Sequence, residues 1–181
     1  MKQTILKFGL ISGVLASLFM LATIPFIHDL EHGSKGLIVG YTGMVLSFLL
    51  VFFGIRSYRD NLGAGQITFG RAFTIGISIT LIMCAFYVVT WEILYFNFMH
   101  NFMDQYAVQA VEKLKTSGAS AAAIQAQIEQ MRRYKESVLY NSAFTFIEPF
   151  PLGLLITLIS AAVLRKKPST QPPPHLTPIT D

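Results

Sequence analysis

Two carboxylates stand where carboxylates are costly. Glu92 follows about 20 uncharged residues, Ala72 to Trp91, long enough at roughly 1.5 Å per residue to cross a bilayer core of about 30 Å. Aromatic and apolar residues continue beyond it in the run TWEILYFNFMH. Glu148 opens EPFPLG, at the start of another long apolar stretch. An acid in such surroundings must reach water, a partner or a proton. Two acids close together would share a proton or hold a cation between them. Tyr41, Trp91, Tyr95 and His100 are the candidate neighbours of Glu92. The competing reading is plain: each glutamate meets interfacial water, a tyrosine, a helix end or a basic loop residue.

One other constellation has the residue types for chemistry. His28-Asp29-Leu30-Glu31-His32 matches H-x-x-E-H, a zinc-protease pattern. That chemistry needs a helix presenting both histidines, a third ligand and a water-filled cleft. Here the match follows Pro25 in a loop of about eight residues. It reads as interfacial loop before it reads as a zinc site, so no metal and no enzyme is expected, with a membrane metalloenzyme as the alternative. No Ser/His/Asp set, CxxC pair or nucleotide fingerprint occurs, so no catalytic residue and no cofactor is expected. The single cysteine, Cys84, lies inside a span and reads as a small packing residue.

The elements that must position these groups are membrane helices. The 181 residues are 52% hydrophobic and only 13% charged, with mean hydropathy +0.51, whereas a soluble domain carries about 25% charged residues. Four spans are expected, at about 8–27, 36–55, 72–98 and 143–164. The first is too long for the apolar region of a signal peptide, lacks a small-residue cleavage site, and is read as retained. The sequence pI near 9.3 would suit nucleic acid, but the basic residues sit beside apolar spans and no basic-aromatic ladder appears.

Charge then sets orientation. Lys2, Lys7, Arg56, Arg59, Arg71, Arg165, Lys166 and Lys167 fall at one set of span ends; the short opposite loop has only Lys35 beside Asp29 and Glu31. The positive-inside rule puts both termini in the cytoplasm of a bacterial inner membrane, with Arg56, Arg59, Arg71, Arg165, Lys166 and Lys167 anchoring anionic lipid. Depth follows from helical rise. Arg71 to Glu92 and Lys7 to His28 are each about 31 Å, and Arg165 to Glu148 about 25 Å. His28, Glu92 and Glu148 therefore reach the outer boundary zone, with Glu148 the deepest. Thr74 and Ser78 share the Glu92 face, which is expected to turn inward with them.

Small residues at four-residue spacing read as bundle packing: Gly9, Gly13 and Ser17; Gly36 and Gly40; Gly43 and Ser47; Gly153, Thr157 and Ala161. Residues 99–142 carry apolar positions at helical spacing on either side of Ser117–Gly118, predicting an extracytoplasmic helical hairpin with Ser120 as an N-cap. Helix three can run unbroken into that hairpin. Asn141 or Ser142 is the expected cap of the fourth helix, which Pro149 and Pro151 then kink. The Pro-rich tail, 168–181, is expected to be a disordered cytoplasmic segment.

The stretches FGIRSYRD (Phe53–Asp60), ITFGRAF (Ile67–Phe73), TWEILYFNFM (Thr90–Met99) and EPFPLG (Glu148–Gly153) resemble a family of small bacterial membrane proteins, domain-of-unknown-function family 4199. The resemblance covers about residues 1–167. It implies a four-span inner-membrane protein with an extracytoplasmic helical insert, and no established activity. Its pattern includes positions matching Arg56, Arg59, Asp60, Glu92 and Glu148. The expectation is thus an all-α integral membrane protein with four transmembrane helices and a hairpin between the third and fourth. Two functions stand ahead of the metalloenzyme alternative. One is a non-enzymatic envelope component that binds a protein partner through the hairpin. The other is a small oligomeric proton- or cation-coupled transporter or channel subunit using Glu92 and Glu148; four spans make a poor solitary transporter, so that version predicts a homo-oligomer.

Overall fold

A computed structural model of the chain describes residues 1–23, 34–99 and 102–166. His28, the rest of the HDLEH stretch, His100, Lys167 and the Pro-rich tail lie outside the described residues. Seven helices are described: α1 (Lys2–Thr23), α2 (Ser34–Asn61), α3 (Phe69–Phe98), α4 (Phe102–Thr116), α5 (Ala121–Glu136), α6 (Val138–Ile147) and α7 (Phe150–Leu164). Four stretches are long and apolar enough to cross a membrane: Lys2–Thr23, Ile38–Asn61, Phe69–Phe98 and Val138–Leu164. The last joins α6 and α7. Spans one to three begin or end farther into the basic boundary than expected, because Lys7, Arg56 and Arg59 stay helical there. Long basic side chains permit this by lying along the helix toward water.

α3 is the axis, packing against α1, α2, α6 and α7. The small-residue stripe of α1 meets it in parallel register. A Cβ on Gly9 would come within 2.8 Å of Ile82, and one on Gly13 would overlap the Phe86 ring. Ser17 and Thr90 share a hydroxyl hydrogen bond of 2.7 Å. α2 runs antiparallel to α1, and the buried Ser12 hydroxyl donates to the Ser47 carbonyl at 2.7 Å. α7 returns beside α2 and α3, where Gly153 faces Phe48 and Thr80, and the Thr80 and Thr157 hydroxyls lie 3.0 Å apart. Phe48, Val51, Ile55, Ile75, Ile79 and Met83 are fully buried between these helices. Small residues let the backbones approach, and larger apolar side chains fill the spaces between them.

The basic end is closed by a short clasp. Ile67 and Lys166 exchange backbone hydrogen bonds of 3.1 and 2.9 Å, tying the α2–α3 loop to the end of α7. Ala64 in that loop has φ 49°, which an alanine rarely adopts, and Gly65 follows with φ 78°.

The fourth span is interrupted where its prolines lie. Pro149 and Pro151 have no N–H, so the carbonyls of Thr145 and Ile147 lose their ladder donors. Glu148 and Pro149 nevertheless keep right-handed helical dihedrals, and Gly153 N–H donates to the Pro149 carbonyl at 3.0 Å. The span therefore continues through the interruption instead of reversing.

At the opposite end from the clasp, α4 and α5 form the hairpin, turning at Gly118 with φ 75°. Ser120 caps α5, its hydroxyl accepting from Ala123 N–H at 3.2 Å. Lys135 grips both oxygens of Asp104 at 2.7 and 2.9 Å, fastening the two helices together. α5 rests on α6, whereas among the described residues α4 packs on α5 alone.

Three expectations need correction. Helix three does not run on into the hairpin: it ends at Phe98, with Met99 leaving helical geometry at φ −122° and ψ 28°. The fourth span is capped by Ser137, whose hydroxyl accepts from Tyr140 N–H at 3.2 Å, and not by Asn141 or Ser142. Those two residues sit inside α6, where their side chains serve contacts with α3. Finally, the Thr74–Ser78 face points outward. Thr74 is exposed and Leu81 is 44% exposed, while Ala72, Ile75, Gly76 and Ile79 form the buried face. The Thr74 and Ser78 hydroxyls donate to the carbonyls of Gly70 and Thr74 at 2.9 and 2.7 Å, so they need no inward partner.

Candidate functional site: a polar seam between α3, α5 and α6

The seam begins with two adjacent pairs. Trp91 and Glu92 on α3 face Asn141 and Ser142 on α6. The Trp91 indole N–H donates to Asn141 Oδ1 at 3.2 Å, and the Ser142 hydroxyl donates to Glu92 Oε1 at 2.6 Å. Asn141 is fully buried. Its Oδ1 also accepts from the Thr145 hydroxyl at 3.2 Å, and Thr145 lies 3.3 Å from the Tyr134 hydroxyl of α5. An indole N–H can only donate, so Trp91 fixes which end of the Asn141 amide is oxygen. The amide nitrogen then points away from that acceptor, and among the described residues it is buried without a protein partner, as is Glu92 Oε2.

Aromatic rings enclose this network. Trp91 stacks on Tyr95 at 6.3 Å between centroids, Tyr95 meets Tyr134 edge-on at 5.9 Å, and Tyr134 meets Phe144 edge-on at 5.8 Å. Burial pushes the Tyr134 phenol up to about 12, so it stays a neutral hydroxyl near neutral pH. Tyr95 is buried in this ring set.

Glu148 lies elsewhere. Its Oε2 accepts from the Tyr87 hydroxyl at 3.1 Å, and its side chain is exposed on the lateral surface of the bundle. Pairing of Glu92 with Ser142 and of Tyr87 with Glu148 fixes an antiparallel register. In that register Glu148 sits at the level of Tyr87, about five residues of α3 nearer the basic end than Glu92, or about 7.5 Å of helical rise. The two acids thus line one helix pair but bond different partners at different levels. Glu148 is the deeper of the two. Tyr41 of α2 is 53% exposed and within electrostatic range of Tyr87. Among the described residues neither acid has a basic partner; each meets only a neutral hydroxyl. No group of three or more metal-ligating side chains occurs among the described residues.

The basic residues gather at the clasp end. Arg56, Arg71, Arg165 and Lys166 are exposed there, and Arg59 is half-buried. Asp60 pairs with both arginines of α2, at 2.7 Å to Arg59 and 3.5 Å to Arg56. Part of the positive charge expected to face lipid is therefore already compensated.

Residue-type reasoning named Glu92, Glu148, Tyr95, Tyr41 and Trp91 but missed Tyr87, Tyr134 and Thr145, and it gave Asn141 and Ser142 only a capping role. An available signal was Asn141 four residues before Thr145 within an apolar run. On a helix that spacing stacks two polar groups on one face, and an amide in hydrocarbon needs partners.

Helix count, span length and packing define an all-α integral membrane protein with a helical hairpin between its third and fourth spans. The chain belongs to the family described as protein of unknown function (DUF4199), whose model matches residues 7–166. No curated protein and no solved structure matches it.

Proposed function

We propose that this is a non-enzymatic component of the bacterial inner membrane that binds a protein partner through its hairpin, with both termini cytoplasmic. One observation carries the reading: among the described residues α4 packs on α5 and on no span, yet it displays Val108 at 66% exposure. α5 likewise exposes Ile128. A helix held at the end of a membrane bundle with apolar side chains uncovered is suited to a partner's surface. The basic residues at the far end support placing the hairpin outside. A photo-crosslinker at position 108, activated in intact membranes, should capture one recurring protein. Capture of unrelated neighbours in proportion to their abundance would reject this function.

The second reading is an oligomeric proton- or cation-coupled transporter or channel subunit. It is favoured by two span carboxylates that meet only hydroxyls, one of them with a buried, unpartnered oxygen. Replacing Glu92 and Glu148 with glutamine should then abolish cation-driven flux in reconstituted vesicles. Unchanged flux would reject it.

A further inference from the structure

We propose that Glu148 holds the ammonium headgroup of an ethanolamine phospholipid in a lateral notch between α2 and α6. The notch follows from the packing. On the basic side of Pro149 the fourth span is sealed: α7 touches both α2 and α3, and Gly153 sits against Phe48 and Thr80. On the hairpin side, among the described residues, α6 touches α3, α5 and α7 but not α2. Among the described residues the outer part of the span therefore leaves α2, with Glu148 and Ile147 exposed. Glu148 stands where the sealed part ends. Tyr87 forms the floor, Tyr41 stands on the α2 side, and Ile147, 63% exposed, lies beside the acid.

Depth selects the kind of occupant. Glu148 lies about 25 Å of helical rise from Arg165, so it sits about 5 Å inside a hydrocarbon core of about 30 Å. Side chains lean toward the N-terminal end of their helix, which for this span is the hairpin side. The carboxylate is thus directed at the headgroup layer, the level at which a lipid amine is found. Tyr87 donates to one oxygen, and among the described residues no protein cation reaches the other. An ethanolamine ammonium offers three N–H donors to that oxygen, whereas a choline headgroup offers none.

The test uses the full chain in vesicles of phosphatidylcholine with or without phosphatidylethanolamine. A hydrophobic carbodiimide labels membrane carboxyls, and mass spectrometry reads Glu148 and Glu92 separately. Phosphatidylethanolamine should slow labelling of Glu148 severalfold and leave Glu92 unchanged. Equal labelling of Glu148 in both lipids overturns the proposal, and so does equal protection by free ethanolamine added to phosphatidylcholine vesicles. Native mass spectrometry gives an independent readout. Wild type should retain phosphatidylethanolamine over phosphatidylcholine severalfold, and Glu148→Gln should bring the two to parity. A preference that survives Glu148→Gln overturns it. The labelling experiment needs no variant, so misfolding of Glu148→Gln would leave the test intact. The position-108 crosslink reports on the hairpin separately.

Discussion

Gly153→Ala should loosen the fourth span from the bundle. A Cβ at this position would lie 2.5 Å from Phe48 Cε1 and from Thr80 Cγ2, and 2.7 Å from Phe48 Cζ. Phe48 and Thr80 are both fully buried, on different helices, so neither can yield without disturbing a further neighbour. Overpacking of this kind costs about 1–3 kcal/mol, and two blocked neighbours place it toward the upper end. Alanine regains about 0.5–1 kcal/mol of helix propensity over glycine. The net loss is about 2 kcal/mol, which for a chain of this size lowers an unfolding midpoint by about 4–8 °C. Cys84 provides the assay, because it is the single cysteine and is fully buried. A thiol-reactive dye in detergent micelles gains signal only as the bundle opens. Gly70→Ala is the matched control, since a Cβ there meets nothing within 4 Å. Its midpoint should be unchanged or slightly raised. An unshifted Gly153→Ala, or an equal fall in both variants, would refute the placement of α7 against Phe48 and Thr80.

Three further outcomes are expected. Asn141→Ala removes the acceptor for Trp91 and Thr145 and should cost about 1–3 kcal/mol, read by the Cys84 assay and by a shift in emission of the single tryptophan. Ser137→Ala removes the α6 cap; at about 1 kcal/mol it should speed hydrogen exchange in the first turn of α6 while leaving α5 protected. Hydrogen bonds from Arg132 and Arg133 hold the Glu129 carboxyl down to about 2, below its ordinary 4.5. A depressed carboxyl stabilises above its unfolded value and loses that contribution as pH falls through the folded one. Exchange in α5 should therefore rise between about pH 4.5 and 2, relative to a Glu129→Gln chain, and the difference should shrink in high salt.

The spans were legible because hydrocarbon thickness imposes a length that few other structures share. The bundle interior was legible for a related reason. Gly9, Gly13, Ser17, Ser47, Gly153 and Thr157 are small, and close approach in lipid selects small residues. The Ser120 cap and the turn at Gly118 were legible as local rules. What escaped was anything that depends on two helices meeting. Nothing local says that Ser142 donates to Glu92 across 50 residues, or that Tyr87 and not a second acid faces Glu148. The Ile67–Lys166 clasp is backbone pairing and leaves no residue-type signature.

The reversed face of α3 shows how the solvent changes the reading of polarity. In water, a hydroxyl on an otherwise apolar helix marks the outside. Carrying the opposite rule into lipid turns Thr74 and Ser78 inward, and that fails for a definite reason: each hydroxyl donates to a carbonyl of its own helix and presents mostly methyl and methylene to its surroundings. A carboxylate has no such escape, since it cannot be satisfied by carbonyls that themselves only accept. Glu92 and Glu148 must therefore find donors on another side chain, and both do so at the α3–α6 contact. That contact is the part of the fourth span beyond Pro149, where among the described residues α2 no longer covers it. The core around Phe48 and Gly153 closes before the acids begin. A ligand or partner can thus reach a polar group here without dismantling the packed half of the bundle.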